Sequence, residues 1–220
     1  MARCGILTAS EMKHVVSRKT DKKTGLVTYK SPTDDKSVAH LYELAAQRVN
    51  QYVEPSYIGD DMLRGQDDES HAREAYDENY EAITECGFVT NDEWGFTIGY
   101  SPDWLVGSDG QGEAKSRRQK YQLETIATKK VPEEYVIQNQ TGLLVTRRKW
   151  CDYTSYCGGM PMITLRVDPD KEVQDAIIEA ATSFHEKLKK LIKEYSEVLA
   201  DPAMRLIPTE RREIAIGTYE

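Results

Sequence analysis

Three ionisable residues near the middle of the chain have a spacing that could support metal-dependent chemistry. In GYSPDWLVGSDGQGEAKSRRQK, residues 99 to 120, Asp103 closes one hydrophobic stretch, and Glu113 and Lys115 follow a glycine-rich turn. Alternation along a strand places Glu113 and Lys115 on the same face, and a hairpin pairing brings Asp103 beside them. Two carboxylates and an ammonium on one face are costly if they are dry and unpaired.

Binding of a hard cation would make this cluster favourable. Mg²⁺ takes oxygen ligands and usually keeps waters that a substrate can replace. The lysine could then orient a metal-bound water, or stabilise the charge that grows on a phosphate in the transition state. The alternative is a surface hairpin with a salt bridge. A Glu-x-Lys pattern on its own would be more typical of such a hairpin than of a metal site.

The distribution of charge leaves room for a polyanionic partner. The formal net charge of −8 by itself disfavours such a partner. However, the local electric field inside a cleft steers a charged ligand more than the net charge does, and a basic patch can coexist with an acidic exterior. Acidic residues concentrate between residues 60 and 85. The basic residues gather in KSRRQK (115 to 120), KK (129 to 130) and RRK (147 to 149). Each basic run taken singly could be ordinary solvated surface.

Length and composition indicate one globular domain that spans residues 1–220. The chain has 39% hydrophobic and 30% charged residues, which is typical of a soluble protein. No apolar run is long enough for a membrane helix, and the N-terminal apolar stretch is too short for a secretory signal. The four cysteines have no C-x-x-C spacing, so we expect free thiols and an intracellular, cytoplasmic protein.

The order of hydrophobic patterns predicts an α+β fold with a small mixed β-sheet flanked by α-helices. A capping-box pattern at Thr8 and Glu11 predicts a short helix, and the polar residues 19–36 predict a loop. The closing helix, about 168–200, has a stripe that includes Val173 and Ile177 and precedes a tail, 201–220. The other predicted elements are helices at 37–53, 60–84, 119–129 and 133–147, and strands at 87–91, 94–106, 110–116, 149–157 and 161–167.

The central cluster resembles the PD-(D/E)xK nuclease core. Pro102, Asp103, Glu113, Ala114 and Lys115 stand in the order of that motif. Together with GYSPDWLVGSDGQGEAK, three further motifs look like those of the lambda exonuclease family of viral alkaline nucleases, also called the YqaJ family. These motifs are GILTASE (5 to 11), RGQDDE (64 to 69) and YVIQNQ (135 to 140). The resemblance runs from about residue 3 to residue 166 and implies a restriction-endonuclease-like core.

The acidic helix carries a further candidate, Glu69. Helical spacing places Glu69 on the side of Gly65 and Ala72, so we expect it, unlike Asp67 and Asp68, to point inward. The resemblance implies a catalytic glutamate at this position, as a metal ligand or water-holding group. The alternative is an ordinary acid on a highly acidic helix.

The next candidate, Gln138, lies on the side of its helix that carries Tyr135 and Gly142. A neutral amide can donate to a phosphate or accept from water without adding charge near a metal. The resemblance implies an active-site glutamine here, whereas Gln140 lies on another side and is the weaker candidate. A buried glutamine with a structural role is the alternative.

The N-terminal motif bears on the polarity of cleavage. In the family an arginine and two serines form a pocket for a terminal 5′-phosphate, and the resemblance places these at Arg3, Ser10 and Ser101. A guanidinium offers a bidentate fork to phosphate, and hydroxyls add donors. Ser10 could instead be only a helix-terminal hydroxyl.

The resemblance as a whole implies a Mg²⁺-dependent 5′ to 3′ exonuclease, with Mn²⁺ as a substitute, that digests one strand of linear duplex DNA and leaves a 3′ overhang. It implies Asp103, Glu113 and Glu69 as metal ligands. Arg117 and Arg118 are expected to contact DNA. The family also implies a homotrimer ring, a single-strand annealing partner in viral recombination, and a phage or prophage origin in a bacterial host. The alternatives are a related endonuclease and a catalytically silent DNA-binding module.

Overall fold

Strands and helices alternate along the chain in the computed structural model, which describes residues 3–21, 23–55 and 59–211. The strands within these ranges are β1 (Leu7–Thr8), β2 (Ser17–Thr20), β3 (Val27–Lys30), β4 (Ile83–Thr84), β5 (Val89–Asn91), β6 (Ile98–Tyr100), β7 (Trp104–Val106), β8 (Gly110–Ser116), β9 (Trp150–Tyr156) and β10 (Ile163–Val167). The α-helices are α1 (Asp35–Asn50), α2 (Asp60–Asn79), α3 (Gln119–Thr128), α4 (Glu133–Thr146) and α5 (Lys171–Ala200).

Two sheets position the central cluster. The five-stranded sheet has the order β10-β9-β8-β7-β4, in which β8 and β9 are parallel and the other neighbours are antiparallel. The three-stranded sheet has the order β1-β6-β5, and β2 pairs with β3 in a separate hairpin. The first five residues of β8 are buried, as expected for a strand between two neighbours. The predicted α+β class with a mixed sheet is confirmed.

Helix α4 packs against both sheets. It contacts β5 and β6 of the three-stranded sheet and β9 of the five-stranded sheet. Its apolar residues Ile137, Leu143 and Val145 are buried, so hydrophobic burial holds this helix between the two sheets. One helix can therefore present side chains to residues from either sheet.

Helix α5 follows the predicted amphipathic pattern. The apolar stripe that begins at Val173 and Ile177 is buried and continues to Leu188. Asp170 caps the helix, because its carboxylate accepts hydrogen bonds from the amides of Glu172 and Val173. No helix in the part of the chain that the structure describes is both long and apolar enough to cross a bilayer. Residues 212 to 220 of the predicted tail lie outside the described residues.

Three predictions near the N-terminus differ from the structure. The expected loop at 19–36 contains most of the β2–β3 hairpin, whose strands are half-exposed and therefore polar enough to read as loop. The predicted cap at Thr8 lies in β1, and only the 3-10 helix Met12–His14 follows it. Helix α1 begins two residues early because the carboxylate of Asp34 accepts from the amide of Ser37.

Two further boundaries differ from the prediction. Helix α2 ends at Asn79, and the predicted end of that helix contains the short strand β4. The single strand predicted at 94–106 is divided at residues 101 to 103, because β6 and β7 belong to different sheets. The SPD motif is therefore the place where the chain crosses from the three-stranded sheet to the five-stranded sheet.

Candidate active site

The β7–β8 hairpin brings Asp103 beside the Glu-Ala-Lys strand, as predicted. The amide of Asp103 donates to the carbonyl of Gly112, and the amide of Ala114 donates to Oδ2 of Asp103 at 2.6 Å. Gly112 is required for this approach, since a Cβ there would lie 1.9 Å from the indole of Trp104. The packing of Trp104 thus fixes the spacing between Asp103 and Glu113.

Glu113 is the most heavily hydrogen-bonded carboxylate of the cluster. Only 2% of the residue is exposed. The ammonium of Lys115 and the amide nitrogen of Gln138 both donate to its Oε1, each at 2.5 Å. Tyr100 donates its hydroxyl to Oε2 at 2.6 Å. The structure therefore places Gln138 at the cluster, on the side of α4 that the sequence predicted.

Helix α2 adds Glu69 to the same site. Glu69 and Arg73 line the cleft at Asp103, and Arg73 donates to Oε1 of Glu69 at 3.2 Å and to Glu85 at 2.8 Å. The expectation that Asp68 points outward is wrong. Its side chain is 14% exposed, against 38% for Glu69, and it accepts a hydrogen bond from Ser116.

The three residues predicted to hold a terminal phosphate, Arg3, Ser10 and Ser101, lie in the same cleft as the carboxylates. The cleft has a volume of about 440 Å³. Arg3 Nη2 donates to Oγ of Ser101 at 2.7 Å. Its guanidinium carbon lies 5.2 Å from the ring centroid of Phe88, which is within cation–π range. The hydroxyls of Ser10 and Thr8 are 3.2 Å apart.

The structure does not support Arg117 as a free DNA-binding cation. Its side chain is 8% exposed, and it donates to Oε1 of Glu134 at 2.7 Å and to the hydroxyl of Tyr135 at 2.8 Å. Arg117 directly follows β8, two residues after Lys115, so the two side chains lie on the same side of the chain. Arg117 therefore contacts the start of α4. Arg118 is 62% exposed and pairs with Asp61.

Gln140, the weaker glutamine candidate, has a structural position. Its Nε2 donates to the carbonyl of Asp168 at 2.8 Å, and its Oε1 accepts from the amide of Asp170 at 2.9 Å. These contacts join α4 to the start of α5. Gln140 is therefore occupied away from the carboxylate cluster.

Burial and nearby negative charge oppose the ionisation of Asp103. Burial first, and then Glu113 and Glu69, raise the pKa of Asp103 well above its usual value. Burial by itself would lower the pKa of Lys115, but Glu113 and Asp103 raise it above its usual value. Lys115 therefore stays charged and offsets only part of the negative charge.

The donor set fits a hard divalent cation. Asp103, Glu113 and Glu69 supply carboxylate oxygens, which Mg²⁺ prefers, and a cation would relieve the repulsion at Asp103. Among the described residues, no group of three or more acidic, histidine or cysteine side chains is arranged so that it could hold a metal ion by itself. Waters and substrate oxygens would therefore have to complete the coordination of Mg²⁺, which usually keeps several waters.

We expect Asp103→Asn to raise the thermal midpoint of the metal-free protein near neutral pH. A folded-state pKa above the unfolded value means that stability is lost as pH rises through the folded pKa, so the ionised group destabilises the fold. Asparagine keeps an oxygen for the Ala114 amide without the charge. Calorimetry in a chelator should show the gain shrinking as pH falls toward about 3.9, the usual aspartate pKa. A lower midpoint for the variant near neutral pH would contradict the expected repulsion.

Among the residues of this cleft that sequence reasoning missed are Tyr100, Arg73 and Phe88. Phe88 packs against Gly99 of β6, where a Cβ on the glycine would lie 2.0 Å from the phenylalanine ring. Gly99 and Tyr100 directly precede the SPD motif in sequence, which was the available signal. Nothing local indicated that the tyrosine would reach Glu113, because the two belong to different sheets.

The α+β fold and the Asp103, Glu113 and Lys115 cluster at a cleft define a nuclease of the PD-(D/E)xK class. Residues 1–149 match the family model of the YqaJ-like viral recombinase domain. The chain belongs to this family. No curated protein matches it in sequence.

Solved structures agree with this assignment. The alkaline exonuclease LHK-Exo of Laribacter hongkongensis is 30% identical, with a TM-score of 0.76 over 90% of this chain and 95% of that one. Its complex with dAMP has the same identity and coverage and a TM-score of 0.77. A phage related exonuclease of Haemophilus somnus 129PT is 15% identical, with a TM-score of 0.61 over 86% of this chain and 96% of that one, and shows the fold alone. Family and relatives together support a nuclease of the exonuclease type.

Proposed function

We propose that this protein is a Mg²⁺-dependent exonuclease that digests one strand of linear duplex DNA from its 5′ end and leaves a 3′ single-stranded overhang. Mn²⁺ would substitute for Mg²⁺. The observation that carries the proposal is one cleft that contains both the carboxylate cluster and the Arg3–Ser101 pair. The dAMP bound by the Laribacter relative supports a nucleotide-sized ligand.

Asp103, Glu113 and Glu69 would hold the cation, which when bound neutralises phosphate charge and lowers the pKa of water. Lys115 supplies a fixed positive charge for the pentavalent transition state, since its ammonium is anchored on Oε1 of Glu113. Gln138 shares that oxygen and keeps a second amide hydrogen for a substrate oxygen. Arg73 holds Glu69 toward the cleft.

The terminal phosphate would be bound by Arg3, Ser101 and Ser10. The guanidinium of Arg3 is oriented by Ser101 and by the ring of Phe88, so little side-chain entropy remains to be lost on binding. An exposed cation such as Arg118 would contact the backbone farther along the duplex. Binding of the end in this way limits cleavage to the strand that supplies the phosphate.

The family resemblance supports three further parts of the proposal. The protein would assemble as a ring-shaped homotrimer, act with a single-strand annealing protein in viral recombination, and work in the cytoplasm of a bacterial host as a phage or prophage product. Sedimentation of the purified protein with and without duplex DNA tests the trimer directly.

Comparison of linear and closed circular duplexes tests the exonuclease assignment. We expect rapid Mg²⁺-dependent release of mononucleotides from linear DNA and none from closed circles, since a circle has no end for the Arg3 pocket. Cleavage of circles as fast as linear DNA would indicate an endonuclease instead. Binding of DNA without any cleavage would indicate a silent binding module.

Arg3→Ala should slow digestion of 5′-phosphorylated ends about ten-fold to a hundred-fold, because a charge-assisted hydrogen bond is typically worth about 1.5 to 3 kcal/mol. Digestion of 5′-hydroxyl ends should barely change, so the two substrates should converge in rate. Arg205→Ala removes an exposed arginine from the tail and is the matched control. An equal loss of rate on both kinds of end would show that Arg3 binds DNA phosphates other than the terminal one or supports the fold.

A further inference from the structure

Tyr100 links the two sheets at the carboxylate cluster. It is the last residue of β6 in the three-stranded sheet, whereas Glu113 lies on β8 of the five-stranded sheet. The hydroxyl of Tyr100 donates to Oε2 of Glu113 at 2.6 Å, and only 2% of the tyrosine is exposed. Of the three side chains that donate hydrogen bonds to Glu113 within the described residues, Lys115 lies on the same strand, Gln138 lies on α4, and Tyr100 lies on the three-stranded sheet.

The hydrogen bonds of Glu113 leave little room for a ligand. A carboxylate has about four acceptor positions, two on each oxygen. Lys115 and Gln138 take both positions on Oε1, and Tyr100 takes one on Oε2. One position on Oε2 remains for a cation.

Helix α4 packs closely against the ring of Tyr100 at Gly142. A Cβ on Gly142 would lie 2.8 Å from Cε1 and Cζ of that ring, closer than packed carbon atoms approach each other. The glycine therefore lets the helix close against the tyrosine. The same helix carries Gln138, so α4 and β6 fix the two hydrogen bonds to opposite oxygens of Glu113.

We propose that Tyr100 is a positioning residue that holds the carboxylate of Glu113 with one acceptor position of Oε2 available to the divalent cation. The inference rests on the proposed function for the identity of that cation as Mg²⁺ or Mn²⁺. Without the hydroxyl, the carboxylate can rotate toward Lys115 and Gln138, and the free position on Oε2 then leaves the cation site. A hydrogen bond from the neutral phenol of Tyr100 thus determines the orientation in which the carboxylate of Glu113 faces the cation site.

Tyr100→Phe tests this inference, and Tyr153→Phe is the matched control. Tyr153 is also fully buried, and its hydroxyl makes no hydrogen bond to Glu113 or Asp103. Calorimetric titration with Mn²⁺ in the absence of DNA should show about ten-fold to a hundred-fold weaker binding by Tyr100→Phe, and unchanged binding by the control. With saturating metal, kcat on linear duplex should fall about ten-fold while KM for DNA stays the same.

Each other outcome has a definite meaning. Mn²⁺ affinity and kcat within two-fold of the wild type would overturn the positioning role. An equal loss in Tyr153→Phe would overturn it as well, because general packing would then account for the effect. A wild-type protein that binds Mn²⁺ without cleaving DNA would refute the proposed function, yet the Mn²⁺ titration of Tyr100→Phe would still decide the role of Tyr100.

Discussion

Asp103→Asn should lower the rate of Mg²⁺-dependent DNA cleavage by about a thousandfold or more. The substitution removes a carboxylate that would hold the cation, and metal catalysis of this kind is worth several kcal/mol, at about 1.4 kcal/mol for each factor of ten. Asparagine can still accept the hydrogen bond from the amide of Ala114, so the hairpin should remain intact. Cleavage of a linear duplex by the purified variant, at equal protein and saturating Mg²⁺, measures the effect.

Asp67→Asn is the matched control for this experiment. Asp67 lies on α2 two residues before Glu69, on the opposite side of the helix from the cleft, with a side chain that is 78% exposed. The control variant should cleave within two-fold of the wild type. Cleavage by Asp103→Asn at a near-normal rate would refute the assignment of Asp103 to the metal site.

Lys115→Met should lower turnover about a hundred-fold to a thousand-fold while metal binding is retained. The loss of one preorganised donor to a developing negative charge has a cost of this size. Methionine keeps most of the aliphatic length of lysine, so the packing under Tyr135, whose ring centroid lies 5.5 Å from Nζ, should survive. Single-turnover cleavage and Mn²⁺ calorimetry on the same preparation separate the two effects.

Lys149→Met provides the corresponding control, since Lys149 is 73% exposed and pairs with Asp109 at the far end of the hairpin. It should leave both turnover and metal binding unchanged. Loss of metal binding by Lys115→Met would show that the lysine mainly holds Glu113 in place and would remove its assigned role at the phosphate.

The sequence predicted the part of the site that depends on local periodicity. Asp103, Glu113 and Lys115 are separated by one tight turn, so strand alternation was enough to bring them together. The 3.6-residue period placed Gln138 on the side of its helix that carries Tyr135 and Gly142, and the family resemblance implied its position in the active site. These relations are set within one element or one hairpin, where the position of the rest of the chain matters little.

The parts that could not be predicted depend on contacts between elements distant in sequence. Tyr100 reaches Glu113 only because two sheets meet at the SPD crossing. Arg117 has the charge of a DNA contact, but Tyr135 and Glu134 at the start of α4 take its hydrogen bonds. The β2–β3 hairpin was read as a loop because edge strands with one exposed face carry as many polar residues as loops do.

Digestion of linear duplexes labelled at one end tests the central claim most directly. Duplexes should carry a 5′-phosphate or a 5′-hydroxyl, with a label on the base of either the 5′-terminal or the 3′-terminal nucleotide of one strand, and each should be incubated with and without Mg²⁺. We expect Mg²⁺-dependent release of a 5′ label as a mononucleotide from the phosphorylated duplex, slower release from the hydroxyl duplex, and retention of the 3′ label on a shortening strand. Early release of the 3′ label, or digestion that proceeds equally well in a chelator, would contradict the account.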